Sequence, residues 1–113
     1  MVASKANAAE RDAWAGFPPE LEGARAETYK TTADGYALRV WIFEPPARGR
    51  ESKAAAAVFF FGGGWAFGNP DQFAQHARLL ASRGMVAMTA DYRVSERHGT
   101  PVRVAVSDAK SAL

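Results

Sequence analysis

The stretch that decides the fold is residues 54–65, which read Ala-Ala-Ala-Ala-Val-Phe-Phe-Phe-Gly-Gly-Gly-Trp. Its first eight residues have no polar face, which is typical of a strand covered on both sides in a parallel sheet. Three consecutive glycines then end the strand abruptly. In open α/β sheets ligands bind at the carboxyl ends of the strands. The stretch therefore predicts both a buried strand and a candidate site at its end.

A helix is predicted directly after the glycines. Asn69 suits the N-cap, Pro70 the first helical position, and Gln72 the third position of a capping box. Apolar residues recur on one helical face at Phe73, Ala77 and Leu80. Residues 85–90 then form a short buried strand, and residues 102–113 begin a second helix. The strand-helix-strand portion is expected to be a right-handed parallel crossover.

An antiparallel edge is expected on the amino-terminal side of this crossover. Residues 27–31 and 37–43 are predicted strands, and the second alternates with period two. The turn signal Thr-Ala-Asp-Gly between them indicates a β-hairpin. The predicted fold class is α/β: an amino-terminal β-hairpin followed by a parallel strand-helix-strand-helix. Residues 1–24 are expected to form a polar lead-in arm and residues 25–113 the domain itself.

Composition and charge exclude several classes of function. The 113 residues carry 14 Lys+Arg against 12 Asp+Glu, and the arginines are scattered, so no nucleic-acid partner is indicated. No apolar run approaches the ~20 residues of a membrane helix, so no membrane partner is expected. Cysteine is absent, and His76 and His98 lie on different predicted elements, so no metal site is predicted. No signal peptide is visible, which leaves the location open between cytoplasmic and exported after processing.

Three interpretations of the glycine triplet compete. A dinucleotide loop needs G-x-G-x-x-G, but Phe67 stands where the third glycine is required, and no Gly-Lys-Ser/Thr follows for a phosphate loop. An oxyanion loop needs consecutive glycines whose backbone N–H groups point at one developing negative charge. A plain tight turn is the third interpretation. The buried strand before the triplet and the capped helix after it favour the oxyanion loop.

The order of these motifs resembles the amino-terminal part of α/β-hydrolase fold esterases. The most similar branch is the hormone-sensitive-lipase-like and bifunctional feruloyl and acetyl-xylan esterase-like group. The resemblance covers roughly residues 25–113 and is specific only when its motifs are taken together. The motifs are VFFFGGGW at 58–65, GNP at 68–70, LASRGMV at 80–86, DYRV at 91–94, RHGTP at 97–101 and DAKSA at 108–112.

This resemblance implies roles for individual residues. The backbone N–H groups of Gly62 and Gly63 would hold the oxyanion, Gly64 would allow close approach of the substrate, and Trp65 would line its pocket. Many members of the family have histidine in place of Phe61, but backbone donors do not require that side chain. The resemblance places Asp91 in a segment that braces the loop. It implies no cofactor, and an acyl ester of a small molecule or a polysaccharide as the substrate.

The remaining parts of an acyl-transfer site are missing from the 113 residues. No serine has the flanking glycines of a G-x-S-x-G turn, and the family order places the acid and the base after that serine. The prediction is an amino-terminal fragment of a serine carboxylic-ester hydrolase, with no triad-dependent activity by itself. A non-catalytic α/β binding or interaction module is the alternative, which Phe61 modestly favours. In either case the apolar strand has an open edge, at which self-association is a further expectation.

Overall fold

The computed structural model describes residues 17–46 and 53–113. In these two ranges the chain forms one four-stranded sheet, in which the strands are ordered β1-β2-β4-β3. The strands are β1 (Arg25–Thr31), β2 (Ala37–Phe43), β3 (Ala56–Phe60) and β4 (Val86–Ala90). A 3-10 turn at Pro70–Phe73 leads into α1 (Ala74–Ser82), which is followed after β4 by α2 (Ser95–His98) and α3 (Val102–Ala112).

The sheet is mixed in the way that the sequence predicts. β1 and β2 form an antiparallel hairpin, in which the Thr32 hydroxyl accepts the Tyr36 N–H and closes the turn. β2 also pairs antiparallel with β4, whereas β3 pairs parallel with β4. The unit β3-α1-β4 is therefore the predicted parallel crossover, and the α/β fold class is confirmed.

Strand β3 lies at the edge of the described sheet. It is shorter than the predicted 54–61, and its last four side chains are half-buried. A strand that is apolar on both faces is typical of the interior of a sheet. Here one of its long edges has no neighbouring strand among residues 17–46 and 53–113, which accounts for its partial exposure.

The core occupies both faces of the sheet. On one face α1 packs against Trp41 and Phe43 through Ala74, Ala77 and Ala81. These short side chains let the helix approach the sheet closely. On the other face Val40, Ile42 and Ala90 form a cluster that the carboxyl end of α3 touches.

The predicted lead-in arm is described only in part. Residues 1–16 lie outside the described ranges, and residues 17–24 pack on the domain. Phe17 is buried beside Tyr36 and Leu38, and Leu21 is buried beneath α1. Apolar contacts thus join the end of this arm to the hairpin and to α1.

Candidate active site

The glycine loop adopts a backbone conformation that side chains would obstruct. Gly63 has φ +149° and Gly64 has φ +64°, and Trp65 continues the left-handed region with φ +66°. A Cβ at Gly63 would lie 2.0 Å from the carbonyl oxygen of Phe67. Only glycine fits such a close approach of two backbone segments.

The amides of the loop divide into engaged and available donors. The Gly62 N–H donates to Oε1 of Gln72 at 2.6 Å. The amides of Ala66 and Phe67 donate to the Gly63 carbonyl at 3.1 and 3.3 Å, which closes the turn. Within the described ranges, the amides of Gly63 and Gly64 donate to no protein acceptor. Two consecutive N–H groups are therefore available to a ligand.

Two carbonyls that follow the glycines are held by the first residues of α2. The first amides of a helix have no partner within the helix and need an outside acceptor. Ser95 and Glu96 supply two such amides, which donate to the carbonyl oxygens of Trp65 at 3.3 Å and Ala66 at 2.8 Å. The short helix thereby fixes the far side of the loop.

A buried ion pair holds the end of the loop. The Arg97 guanidinium donates to both oxygens of Asp91, at 2.8 and 3.4 Å, and to the Gly68 carbonyl at 3.1 Å. The side chains of Arg97 and Asp91 are only 8% and 1% exposed. Burial raises the pKa of Asp91, and Arg97 opposes that rise by stabilising the carboxylate. Asp91 thus braces the loop through Arg97.

Phe61, at the start of the loop, packs against Tyr92 and Arg97. Its ring stacks on Tyr92 with centroids 4.2 Å apart and planes 10° apart, and the Tyr92 hydroxyl donates to the Phe61 carbonyl. The Arg97 guanidinium lies 5.9 Å from the Phe61 ring and 4.1 Å from the Phe17 ring. An apolar ring suits this position because a tyrosine ring stacks on it and a guanidinium lies near it.

A second buried carboxylate ties α3 to the same region. Asp108 accepts three hydrogen bonds from Arg93, at 2.8 to 3.0 Å, and one from Lys30 at 2.8 Å. Burial tends to raise the pKa of Asp108, but the hydrogen bonds from Arg93 and Lys30 outweigh burial and hold the pKa below its usual value. The segment that contains Asp91 and Tyr92 is therefore anchored from two sides.

The other predicted residues are spread over the fold. Trp65 is 44% exposed and lies 5.9 Å from the Tyr92 ring, and Phe67 beside it is 58% exposed. His76 is exposed on α1, whereas His98 is buried with its Nδ1 accepting the Val94 N–H. The described residues contain no cluster of His, Cys, Asp or Glu that could hold a metal ion. They also contain no helix that is long and apolar enough to cross a membrane.

Two functional features were missed by the sequence analysis. Helix α2 was not predicted, although Gly99, which ends it with φ 65°, is a typical helix C-terminal signal. Gln72 was expected to complete a capping box with Asn69. Asn69 does cap the turn by accepting the Asp71 N–H, but Gln72 directs its oxygen to Gly62.

Comparison with solved structures identifies this architecture. The native structure of esterase 2 from the planctomycete Thermogutta terrifontis has 46% sequence identity and a TM-score of 0.81, with 85% of this chain and 34% of that chain covered. The propionate-bound form has the same identity and TM-score, with 85% and 35% covered. The form phosphoramylated by tabun has a TM-score of 0.80, with 85% and 36% covered. The fold is that of the amino-terminal portion of an α/β-hydrolase, and it matches the corresponding part of these esterases.

This chain spans about a third of the length of the esterase chains that it matches. The likeness to an esterase supports the predicted amino-terminal fragment and gives no support to a non-catalytic binding module. No protein-family model matches the chain, and no curated protein matches it.

Proposed function

We propose that this esterase portion supplies the oxyanion-binding loop for the hydrolysis of carboxylic esters. One observation carries the proposal. The carbonyls of Trp65 and Ala66 are bound by α2, while the consecutive amides of Gly63 and Gly64 remain for a ligand. Backbone N–H donors aimed at a developing negative charge stabilise the tetrahedral intermediate of acyl transfer. Gly62 and Gly63 are the proposed donors, although Gln72 holds the Gly62 amide in this structure and must release it, and Gly64 permits close approach.

In the proposed reaction a serine outside these 113 residues attacks the ester carbonyl carbon. The carbon–oxygen π electrons move to oxygen, and the loop amides bind the resulting oxyanion. Collapse of the intermediate expels the alcohol, which receives the serine proton through a histidine. Water then hydrolyses the acyl-serine by the same two steps. The backbone amides of the loop suit this chemistry, and the proposal includes no cofactor.

Short-chain carboxylic esters are the proposed substrates. The exposed rings of Trp65 and Phe67 lie beside the loop and offer apolar surface to an acyl group. The similar Thermogutta esterase has been solved with propionate and with butyrate bound. The finer assignment to the hormone-sensitive-lipase-like and feruloyl/acetyl-xylan esterase-like branch, with polysaccharide esters as substrates, rests on the motif resemblance alone.

A hybrid enzyme tests the proposal. Residues 25–113 replace the matching segment of Thermogutta terrifontis esterase 2, and hydrolysis of p-nitrophenyl butyrate and acetylated xylan is measured. We expect the hybrid to hydrolyse the butyrate ester with saturable kinetics. A folded hybrid with no turnover above the uncatalysed rate would contradict the proposed function, and its relative rate on acetylated xylan tests the branch.

A glycine substitution makes the test specific to the loop. Gly63→Ala places a Cβ against the Phe67 carbonyl and displaces the loop, so kcat of the hybrid is expected to fall by about 10²–10³. Gly84→Ala is the matched control, because Gly84 lies within the transferred segment and also has positive φ but has open space around its Cβ position. The isolated 113-residue chain is expected to show no more hydrolysis of p-nitrophenyl acetate than a heat-treated sample.

A further inference from the structure

The side chain of Gln72 accepts a hydrogen bond from the first amide of the glycine loop, that of Gly62. Its Oε1 lies 2.6 Å from the Gly62 nitrogen, and both residues are exposed. A side-chain amide oxygen is a neutral sp² acceptor, as is the carbonyl oxygen of an ester. Gln72 therefore presents to the Gly62 N–H the same type of atom that an ester substrate would present.

The backbone that carries Gln72 is held in place. Asn69 caps the 3-10 turn by accepting the Asp71 N–H at 2.8 Å, and the Gln72 N–H donates to the Asn69 carbonyl at 3.3 Å. Pro70 is buried at the first position of the turn. The side chain of Gln72 thus projects from a fixed base, and only its own torsions need to change for its oxygen to leave Gly62.

We propose that Gln72 is a positioning residue that holds the Gly62 N–H until the oxyanion forms and displaces it. The inference rests on the proposed function. A neutral ester carbonyl gains little by replacing the neutral Gln72 oxygen. An oxyanion forms a charge-assisted hydrogen bond, which is roughly twice as strong as a bond between neutral groups, and therefore displaces the Gln72 oxygen from the Gly62 N–H. Gln72 thereby keeps the ester carbonyl of the bound substrate off this donor, which raises KM, and leaves the donor to the oxyanion of the transition state.

Removal of Gln72 separates this role from a merely structural one. In the hybrid enzyme, Gln72→Ala frees Gly62 for the ground-state carbonyl, so KM is expected to fall by about fivefold while kcat stays within twofold. A residue that only stiffens the loop would instead lower kcat when removed. Gln75→Ala is the matched control, since Gln75 is an exposed glutamine on the adjoining helix α1.

A charged variant gives a second, pH-dependent readout. Gln72→Glu places a carboxylate at Gly62, which binds the N–H more strongly and repels an oxyanion. The ratio of kcat for Gln72→Glu to that of the unchanged hybrid is expected to fall as the pH rises through about 4.3, the ordinary glutamate value. A flat ratio across this range contradicts displacement of residue 72 by the oxyanion.

Amide hydrogen exchange in the 113-residue chain by itself, outside the hybrid, tests the contact between Gln72 and Gly62 without catalysis. The Gly62 amide is expected to exchange with solvent at least tenfold faster in Gln72→Ala, and at an unchanged rate in Gln75→Ala. Unchanged exchange in both variants, or an active hybrid whose KM does not fall in Gln72→Ala, overturns the inference about Gln72. A folded but inactive hybrid overturns the proposed function instead, so the two failures are distinguishable.

Discussion

Arg97 is the residue whose removal best tests how the loop is held. Arg97→Ala deletes a guanidinium that is paired with buried Asp91 and bound to the Gly68 carbonyl. Both charged side chains are less than a tenth exposed, so solvent screening does little to reduce the cost. Removing one partner of a buried ion pair typically costs about 3–5 kcal/mol because the other charge stays buried and unpaired. That is a large part of the stability of a small domain, about 5–15 kcal/mol.

Urea unfolding measures this loss through the fluorescence of buried Trp41. With the m-value of a small protein, a loss of about 4 kcal/mol moves the midpoint down by about 2 M. Arg97→Lys keeps the charge but loses the planar fork that binds Asp91 and Gly68 together, so we expect an intermediate loss. A double variant, Arg97→Met with Asp91→Asn, removes both charges and is expected to recover most of the stability.

The loss of stability caused by Arg97→Ala is expected to depend on pH. Burial raises the pKa of Asp91, and Arg97 opposes the rise, so Arg97→Ala raises that pKa further. The folded state then holds a proton that the unfolded state has released, and its stability falls as the pH rises above the ordinary aspartate pKa. Arg97→Ala should therefore lower the free energy of unfolding by more at pH 7 than at pH 4. A loss below about 1 kcal/mol at pH 7, the size expected of an exposed pair, would refute the reasoning.

Two further predictions concern the supports of the same segment. Tyr92→Phe removes the hydroxyl that donates to the buried Phe61 carbonyl. It is expected to lower the free energy of unfolding in urea by about 1–3 kcal/mol and to speed exchange of the Gly62 amide. An unchanged exchange rate would contradict this prediction. Asp108→Asn weakens the contacts to Arg93 and Lys30. Because the pKa of Asp108 is lowered on folding, the stability that its carboxylate contributes is lost as the pH falls below the ordinary aspartate value. The unsubstituted chain should therefore lose more stability between pH 5 and pH 2 than Asp108→Asn does. Equal losses in the two proteins would count against this prediction.

The sequence predicts the framework of the fold because local signals and burial agree there. The alternation in β2, the glycines that end β3 and the Asn69–Pro70 cap each indicate a local element or its boundary, and the structure confirms these elements. The order of the strands in space is a different matter. That β4 lies between β2 and β3 depends on pairing across tens of residues, which no local pattern encodes.

The site is less predictable than the framework because its key contacts are long-range. Glycines at 62–64 indicate a permissive backbone, but they do not show which amides are engaged. The partner of the Gly62 N–H is ten residues away, and the donors to Trp65 and Ala66 come from a four-residue helix with a weak sequence signal. The buried position of Arg97 likewise follows from Asp91 and Phe17 meeting around it, not from its neighbours in sequence.

The peptide group between Phe61 and Gly62 connects the supports of the loop to its chemistry. A trans peptide is planar, so its carbonyl and its N–H point in opposite directions. The Tyr92 hydroxyl fixes the Phe61 carbonyl on the buried side, and this alone turns the Gly62 N–H toward the exposed side, where Gln72 meets it. Orientation of the first proposed oxyanion donor thus depends on a buried tyrosine that cannot touch a ligand at that donor. For this reason removal of the two side-chain groups should change kcat/KM of the hybrid in opposite directions. Removal of the Tyr92 hydroxyl should lower kcat and therefore kcat/KM, whereas removal of the Gln72 side chain should lower KM and therefore raise kcat/KM.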